Sequence, residues 1–227
     1  MDNTLLEHAF RMAHQPTPQH ALDLDRLLRE ATSPEEVETQ AKLWRASAYT
    51  RQAIEDRFQP EPYDLDELAR LPEETLGGAF SRHMRRYGLD PAFYEAVEAT
   101  DDALYVRQRL YQTHDIMHCL LEYSTSDVDE TAITGFYFGQ QDRYHPAGGG
   151  ALMVHSMIQE SAVFLHAALT DPEDGRLKVR AFVEGYTRGR AAKPFLAFRL
   201  EQMWEQPIAE VREQLGILPR SSFATAG

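Results

Sequence analysis

Residues 102–123 read DALYVRQRLYQTHDIMHCLLEY, and this stretch decides the fold class. Val106, Leu110, Met117 and Leu121 recur at helical intervals and form one apolar stripe. Thr100-Asp101-Asp102 supplies capping side chains in front of it, so a helix is expected over 102–123. His114 and His118 stand at i and i+4, which stacks their rings on one face at the spacing a divalent ion needs. Counting about 100° per residue from Leu110 puts His114 about 40° off the stripe, His118 about 80° and Asp115 about 140°. His114 is therefore expected to face the interior, His118 its margin and Asp115 further round, as at the edge of a cleft.

Working outward, Ser124-Thr125-Ser126-Asp127 ends this helix and caps the next. Glu130, with eleven residues between it and His118, lies in the first turn on the same face as Ile133, Tyr137 and Gln140. The helix dipole alone would accommodate an acid there. Sharing a face with apolar residues makes an unpartnered carboxylate costly, so Glu130 is a candidate third ligand. Two imidazoles with a carboxylate suit zinc, iron or manganese, and the residue types do not choose among them. H-D-x-x-H is also a relative of the zinc-protease helix H-E-x-x-H, with a shorter acid in the base position. A hydrolase with Asp115 as base is thus one reading, and two hydrogen-bonded histidines without an ion is another.

Helical punctuation runs through the rest of the chain and strand alternation is scarce. The expectation is an all-α protein: a single multi-helix domain with an N-terminal helical segment, residues 1–60, packed on a core, residues 61–227. Helices are expected from Thr4 to His14, from Leu22 to Ala31, and from Pro34 to Arg57 behind the capping Ser33. A proline-rich acidic loop follows from Pro60 to Pro72. The next helix ends near Tyr87-Gly88, where glycine can adopt the left-handed terminus. Further helices are expected from Asp90-Pro91 to Ala99, from Leu152 to Leu169, and to about Arg190 after the turn Asp171–Gly175. Two more run from Pro194 to Trp204 and from Pro207 to Leu215, with a frayed tail from Arg220. The glycine-rich break Pro146–Gly150 lacks the pattern of a phosphate loop.

With a net charge of −13, phosphate backbones are repelled, which argues against nucleic acid as a partner. The charge is uneven: Arg176 to Arg199 holds seven Lys or Arg and one acid, Glu184. Cys119 is the sole cysteine, so no intrachain disulfide forms, and a cytoplasmic setting is expected. No apolar run has the length of a membrane span, and the first residues do not resemble an export leader.

His114-Asp115-x-x-His118-x₁₁-Glu130 resembles the signature of the coenzyme Q biosynthesis protein 4 family of ubiquinone synthesis. Four further motifs fall in the same order: Leu71-Pro72-x-x-Thr75-Leu76-Gly77, Thr100-Asp101-Asp102-x-x-Tyr105-Val106-x-Gln108-Arg109, Phe182-x-x-Gly185-Tyr186-x-x-Gly189, and Trp204-Glu205-x-Pro207-x-x-x-Val211-Arg212. The resemblance covers roughly residues 20 to 218. It implies an all-helical fold and a divalent metal held by His114, Asp115, His118 and Glu130. It also implies a pocket for a prenyl tail, contact with other quinone-biosynthesis enzymes and peripheral association with the inner membrane. The implied activity is oxidative decarboxylation with hydroxylation at ring C1 of a prenylated aromatic precursor, with His114, Asp115 and His118 at the reacting centre. The alternative is a non-catalytic lipid-binding scaffold, or a specialised-metabolite enzyme on the same fold. Arg188, Arg190 and Lys193 are candidates to attract an anionic head group, with Tyr111 and Tyr186 shaping the cavity. A homodimer is compatible with such a fold. One departure stands out: Asp129, before the glutamate, where relatives often have glycine, adds an acid that could alter metal choice or carry a proton.

Overall fold

The computed structural model describes residues 7–220 except 9, 12, 13, 16, 92, 94–98 and 146–153. The segments expected at Thr4–His14, Asp90–Ala99, Pro146–Gly150 and beyond Arg220 lie wholly or partly outside the described residues. Among those residues the chain is helical, with one isolated antiparallel bridge between Thr75 and Pro207. The helices are α1 (Pro18–Ala31), α2 (Pro34–Ala46), α3 (Arg51–Asp56), α4 (Leu65–Leu68), α5 (Leu76–Tyr87), α6 (Asp102–Leu121), α7 (Asp127–Tyr144), α8 (Val154–Thr170), α9 (Pro172–Ala191) and α10 (Ile208–Leu215). The N-terminal helices pack on the rest, α1 against α8 and α2 against α6.

Several starts follow directly from capping chemistry. Ser33 accepts from the Glu36 N–H while the Glu36 carboxylate accepts from the Ser33 N–H, a complete capping box. Asp101 caps α6 by accepting from Leu104 N–H at 2.9 Å. Its neighbour Asp102 is instead buried against Arg45 and Arg57, tying α6 to the N-terminal segment.

Two expected helices are broken. The one drawn from Pro34 to Arg57 stops at Ala46 and restarts at Arg51. Local hydroxyls cause the break: Ser47 Oγ accepts from Tyr49 N–H and donates to the Tyr144 carbonyl, and Thr50 Oγ1 donates back to the Trp44 carbonyl. The helix drawn from Pro194 to Trp204 is two 3₁₀ turns, Phe195–Ala197 and Leu200–Gln202. Here Phe195 N–H is taken by Gln140 Oε1 at 3.3 Å, and Glu201 is drawn into a two-pronged pair with Arg109 at 2.7 and 2.9 Å. Both partners of that pair are buried. Side chains from α6 and α7 thereby hold this segment in a tighter coil than its sequence suggests.

The centre of the molecule is the crossing of α7 and α9, the most extensive helix contact in the fold. Gly135 and Gly139 on α7 face Gly185 and Gly189 on α9. A methyl group on Gly185 would lie 1.8 Å from the Ala132 carbonyl oxygen, and one on Gly139 would lie 2.2 Å from that of Tyr186. Hydrogen in place of a side chain lets the two backbones touch, closer than the usual separation of about 8–10 Å. Gln140 then crosses over and donates to the Gly189 and Ala192 carbonyls. Glu130 lies just before this crossing, so its height along the bundle is set by backbone contact.

Candidate metal centre

α6 carries both imidazoles and α7 brings the carboxylate to them. The Nε2 atoms of His114 and His118 are 3.2 Å apart. Glu130 offers one oxygen to each, 3.4 Å from His114 and 3.2 Å from His118. Ligand atoms around a tetrahedral ion at about 2.1 Å are separated by about 3.4 Å, so these three fit one ion without rearrangement. Asp115 joins the two histidines in a group whose ligand atoms all lie within 4.8 Å of one another. Tyr137 hydroxyl approaches His114 Nδ1 at 3.5 Å, in the position from which an outer partner orients a ligating ring.

The exposure order on α6 is the reverse of the angular expectation. His118 is 1% exposed and His114 is 21% exposed. A single helix wheel cannot show that α5 covers the His118 side. His83 of α5 lays its ring 5.2 Å from that of His118, with the planes 27° apart, and 4.9 Å from Tyr87. His83 was not legible as a site residue, because its spacing marks it only as one position of an amphipathic helix.

Electrostatics bind the cluster together. Burial resists ionisation of Glu130, but the bonds and charges of His114 and His118 outweigh it and hold the carboxyl well below the usual range. Burial also resists protonation of His114, yet Glu130 and Asp115 together raise its pKa. Asp115 is pushed up by burial against the pull of both imidazoles. His83 is pushed down to about 4, first by burial and then by His118, and is neutral at ordinary pH. Burial lifts the Cys119 thiol to about 12, which makes it unreactive.

The end of α6 is held from outside. Arg212 donates to the Cys119 and Leu120 carbonyls, each at 2.9 Å, and Arg188 donates to those of Leu121 and Leu218, also at 2.9 Å. Glu122 then takes the left-handed conformation, φ 61°, that ends the helix. The orphan carbonyls one turn past His118 are thus satisfied by guanidinium groups. Arg188 is 3% exposed and lies over Tyr123. Arg190 pairs with Asp142, whose carboxylate also accepts from the Tyr186 hydroxyl at 2.8 Å. Lys193 is exposed and Tyr111 partly buried. Arg188, Arg190 and Tyr186 thus have bonding partners away from the imidazole cluster. Asp129 is occupied elsewhere: its carboxylate accepts from Ser124 N–H and Oγ at 2.6 Å and pairs with Arg220 at 2.6 Å. It is a latch between the two helices and the C-terminal segment. A hollow of about 490 Å³ lies at the N-terminal segment, lined by Glu7, Phe10, Arg11, His14, Gln15 and His20.

A crystal structure of a Nostoc punctiforme protein superposes with a TM-score of 0.75 over 94% of this chain and 95% of its own, at 23% identity. That likeness establishes the fold. The mitochondrial ubiquinone biosynthesis protein COQ4 of Coprinopsis cinerea is 27% identical over 176 residues, 76% of this chain and 56% of that protein. The mitochondrial COQ4 homologue of Aedes aegypti is 28% identical over 199 residues, 86% of this chain and 68% of that protein. The chain therefore spans little more than half to two thirds of these relatives' length. Their mitochondrial designation, shared by those of Laccaria, rat, Drosophila and Xenopus, corrects the cytoplasmic expectation. A lone reduced cysteine speaks only against an oxidising compartment and could not separate the two. Among the described residues no helix is long and apolar enough to cross a membrane. The family model for coenzyme Q (ubiquinone) biosynthesis protein Coq4 matches residues 24–221, and with the histidine, aspartate and glutamate constellation in place across α6 and α7, this chain belongs to that family.

Proposed function

We propose that this protein is a metal-dependent enzyme of ubiquinone or related prenylated-aromatic synthesis that removes the C1 carboxyl of an aromatic acid and leaves a hydroxyl there. The observation that carries the reading is the convergence of His114, His118 and Glu130 at 3.2–3.4 Å, with Asp115 alongside. A divalent ion held by these four residues would bind the substrate's anionic oxygens and stabilise charge as carbon dioxide leaves. The C1–carboxyl bond breaks with its electron pair on the ring; water supplies the hydroxyl oxygen, and the two electrons removed reduce dioxygen to hydrogen peroxide. Iron or manganese, if bound there, would supply redox capacity, whereas zinc would serve only as a charge.

The protein's own part is to hold and to shield. Tyr137 orients His114, and α5 excludes water from the His118 side. Arg212 and Arg188 fix the end of α6, so His118 keeps its height opposite Glu130. Arg190 and Lys193 belong to the basic stretch and would attract an anionic head group, with Tyr111 and Tyr186 along its approach.

A second reading, a scaffold that presents quinone precursors to partner enzymes, draws on apolar residues left exposed on α8 and α9: Met157, Leu165, Leu169, Val179 and Val183.

The test is carbon dioxide release from a prenylated 4-hydroxybenzoate under oxygen by protein loaded with zinc, iron or manganese. Release is expected with at least one metal and is expected to vanish in His118→Ala. Full release by His118→Ala, or tight lipid binding without release under any metal, would overturn the enzyme reading.

A further inference from the structure

Three imidazoles gather at the centre, and they are not used alike. His114 and His118 turn Nε2 toward Glu130, whereas Nε2 of His83 is sealed from solvent and has no hydrogen-bond partner. Leaving a buried polar nitrogen unbonded costs about 1–3 kcal/mol. Packing against His118 and Tyr87 does not require that nitrogen, since an apolar flat ring makes the same kind of contact. Its surroundings also locate it. The His83 ring stacks on that of His118, 5.2 Å between centres with the planes 27° apart, so it borders the cluster and not a remote seam of the core. It comes from α5, a different wall from the helices that bring the ligands. α5 is anchored by Thr75, which caps it, and by the main-chain bonds of Leu76 and Gly77 to Gln206 and Trp204, each at 2.9 Å. An unpartnered ring nitrogen on a rigid wall, beside a cluster that would attract anions with an ion bound, matches a group that arrives with the ligand.

We propose that His83 Nε2 donates a hydrogen bond to an anionic oxygen on the substrate's aromatic head group when that head sits at the His118–Glu130 cluster. His83 is then a substrate-binding residue contributed by α5, and the inference rests on reading the cluster as a site for an aromatic acid. A neutral imidazole carries one N–H, and placing it on Nε2 leaves Nδ1 as the acceptor. The bond discriminates by chemistry: an aromatic acid satisfies Nε2, and a purely hydrocarbon head leaves it stranded.

Two substitutions separate the nitrogen from the ring. His83→Phe keeps a flat ring against His118 and removes the donor, whereas His83→Gln restores an N–H at similar reach. The probes are 4-hydroxybenzoate, benzoate and phenol, titrated against cobalt(II)-loaded protein and read from the visible cobalt bands. Cobalt affinity is measured separately by competition with a chelator. Loss of one hydrogen bond to a charged oxygen is expected to weaken 4-hydroxybenzoate about tenfold in His83→Phe. His83→Gln is expected to recover most of this, with cobalt affinity unchanged in both variants. Sensitivity confined to benzoate assigns the bond to the carboxylate, and sensitivity confined to phenol assigns it to the phenolate.

Equal affinity for 4-hydroxybenzoate in wild type and His83→Phe would overturn the proposal. So would a fall in cobalt affinity in His83→Phe, which would make His83 a support for His118 and not a contact to the substrate. His83-dependent binding without carbon dioxide release from the prenylated acid would sink the decarboxylation and leave this bond standing. Turnover with binding indifferent to His83 would sink the bond alone, and a cobalt-loaded wild type that binds none of the probes would sink both.

Discussion

Glu160 and His145 are two buried titratable groups outside the metal cluster, and their burial acts on stability with opposite signs. Glu160 on α8 is 7% exposed, and burial raises its carboxyl to about 7, against a bond from Thr134. His145, 5% exposed between Trp44 and Tyr49, is pushed down to about 4 by burial. The folded state therefore keeps a proton on Glu160 that the unfolded chain releases above its ordinary value of 4.5. Stability from that group is present below pH 4.5 and is lost as pH rises through about 7. For His145 the unfolded chain takes up the proton first, so stability is lost as pH falls from 6.5 toward about 4. Each window spans roughly 3 kcal/mol at most. Denaturant titrations at pH 4, 6 and 8 should show Glu160→Gln more stable than wild type at pH 8 and indistinguishable at pH 4. His145→Phe should flatten the acid limb. Parallel curves for variants and wild type would remove the assignment.

At the scale of the element, the glycines at the α7–α9 crossing make the sharpest claim. Gly185→Ala places a methyl 1.8 Å from a main-chain oxygen that cannot rotate away. The helices must separate, at a cost of about 3 kcal/mol or more, since forcing extra carbon into a packed core typically costs 1–3 kcal/mol even where side chains can yield. Because Glu130 rides on α7, the same change should weaken metal binding; a calorimetric scan with and without metal checks both. Gly88→Ala is the control: it has open space around it, and its cost comes only from its left-handed φ of 63°.

Much at this level was legible in the chain. The caps at Ser33, Asp101 and Ser126 are local chemistry and read directly, as does the pairing of His114 with His118. The break at Ser47–Thr50 and the 3₁₀ turns after Pro194 were not, because their causes lie far off in sequence, at Tyr144, Gln140 and Arg109. The same holds for His118, whose cover comes from α5. Periodicity reports which face a helix buries against an average neighbour, and these cases turn on a particular one.

For the molecule as a whole, the buried pair of Arg109 and Glu201 joins α6 to the C-terminal turns across 92 positions of chain. Arg109→Ala leaves a carboxylate buried without its partner and should cost about 3–5 kcal/mol in chemical denaturation. Replacing both with leucine should recover most of that loss, because two charges are then removed from the interior together. If the double variant is no more stable than the single one, the pair does more than neutralise charge.

The touching backbones of α7 and α9 also limit how this scaffold can diverge. At these glycines no residue can grow without prying main chain from main chain, so selection has nothing there to vary. With an aromatic head group docked beside His83, as proposed, fitting a bulkier or differently decorated ring would fall to α5, which presents side chains that can be exchanged one at a time. Members of the family that accept different molecules should therefore differ along α5 and agree at these four small positions.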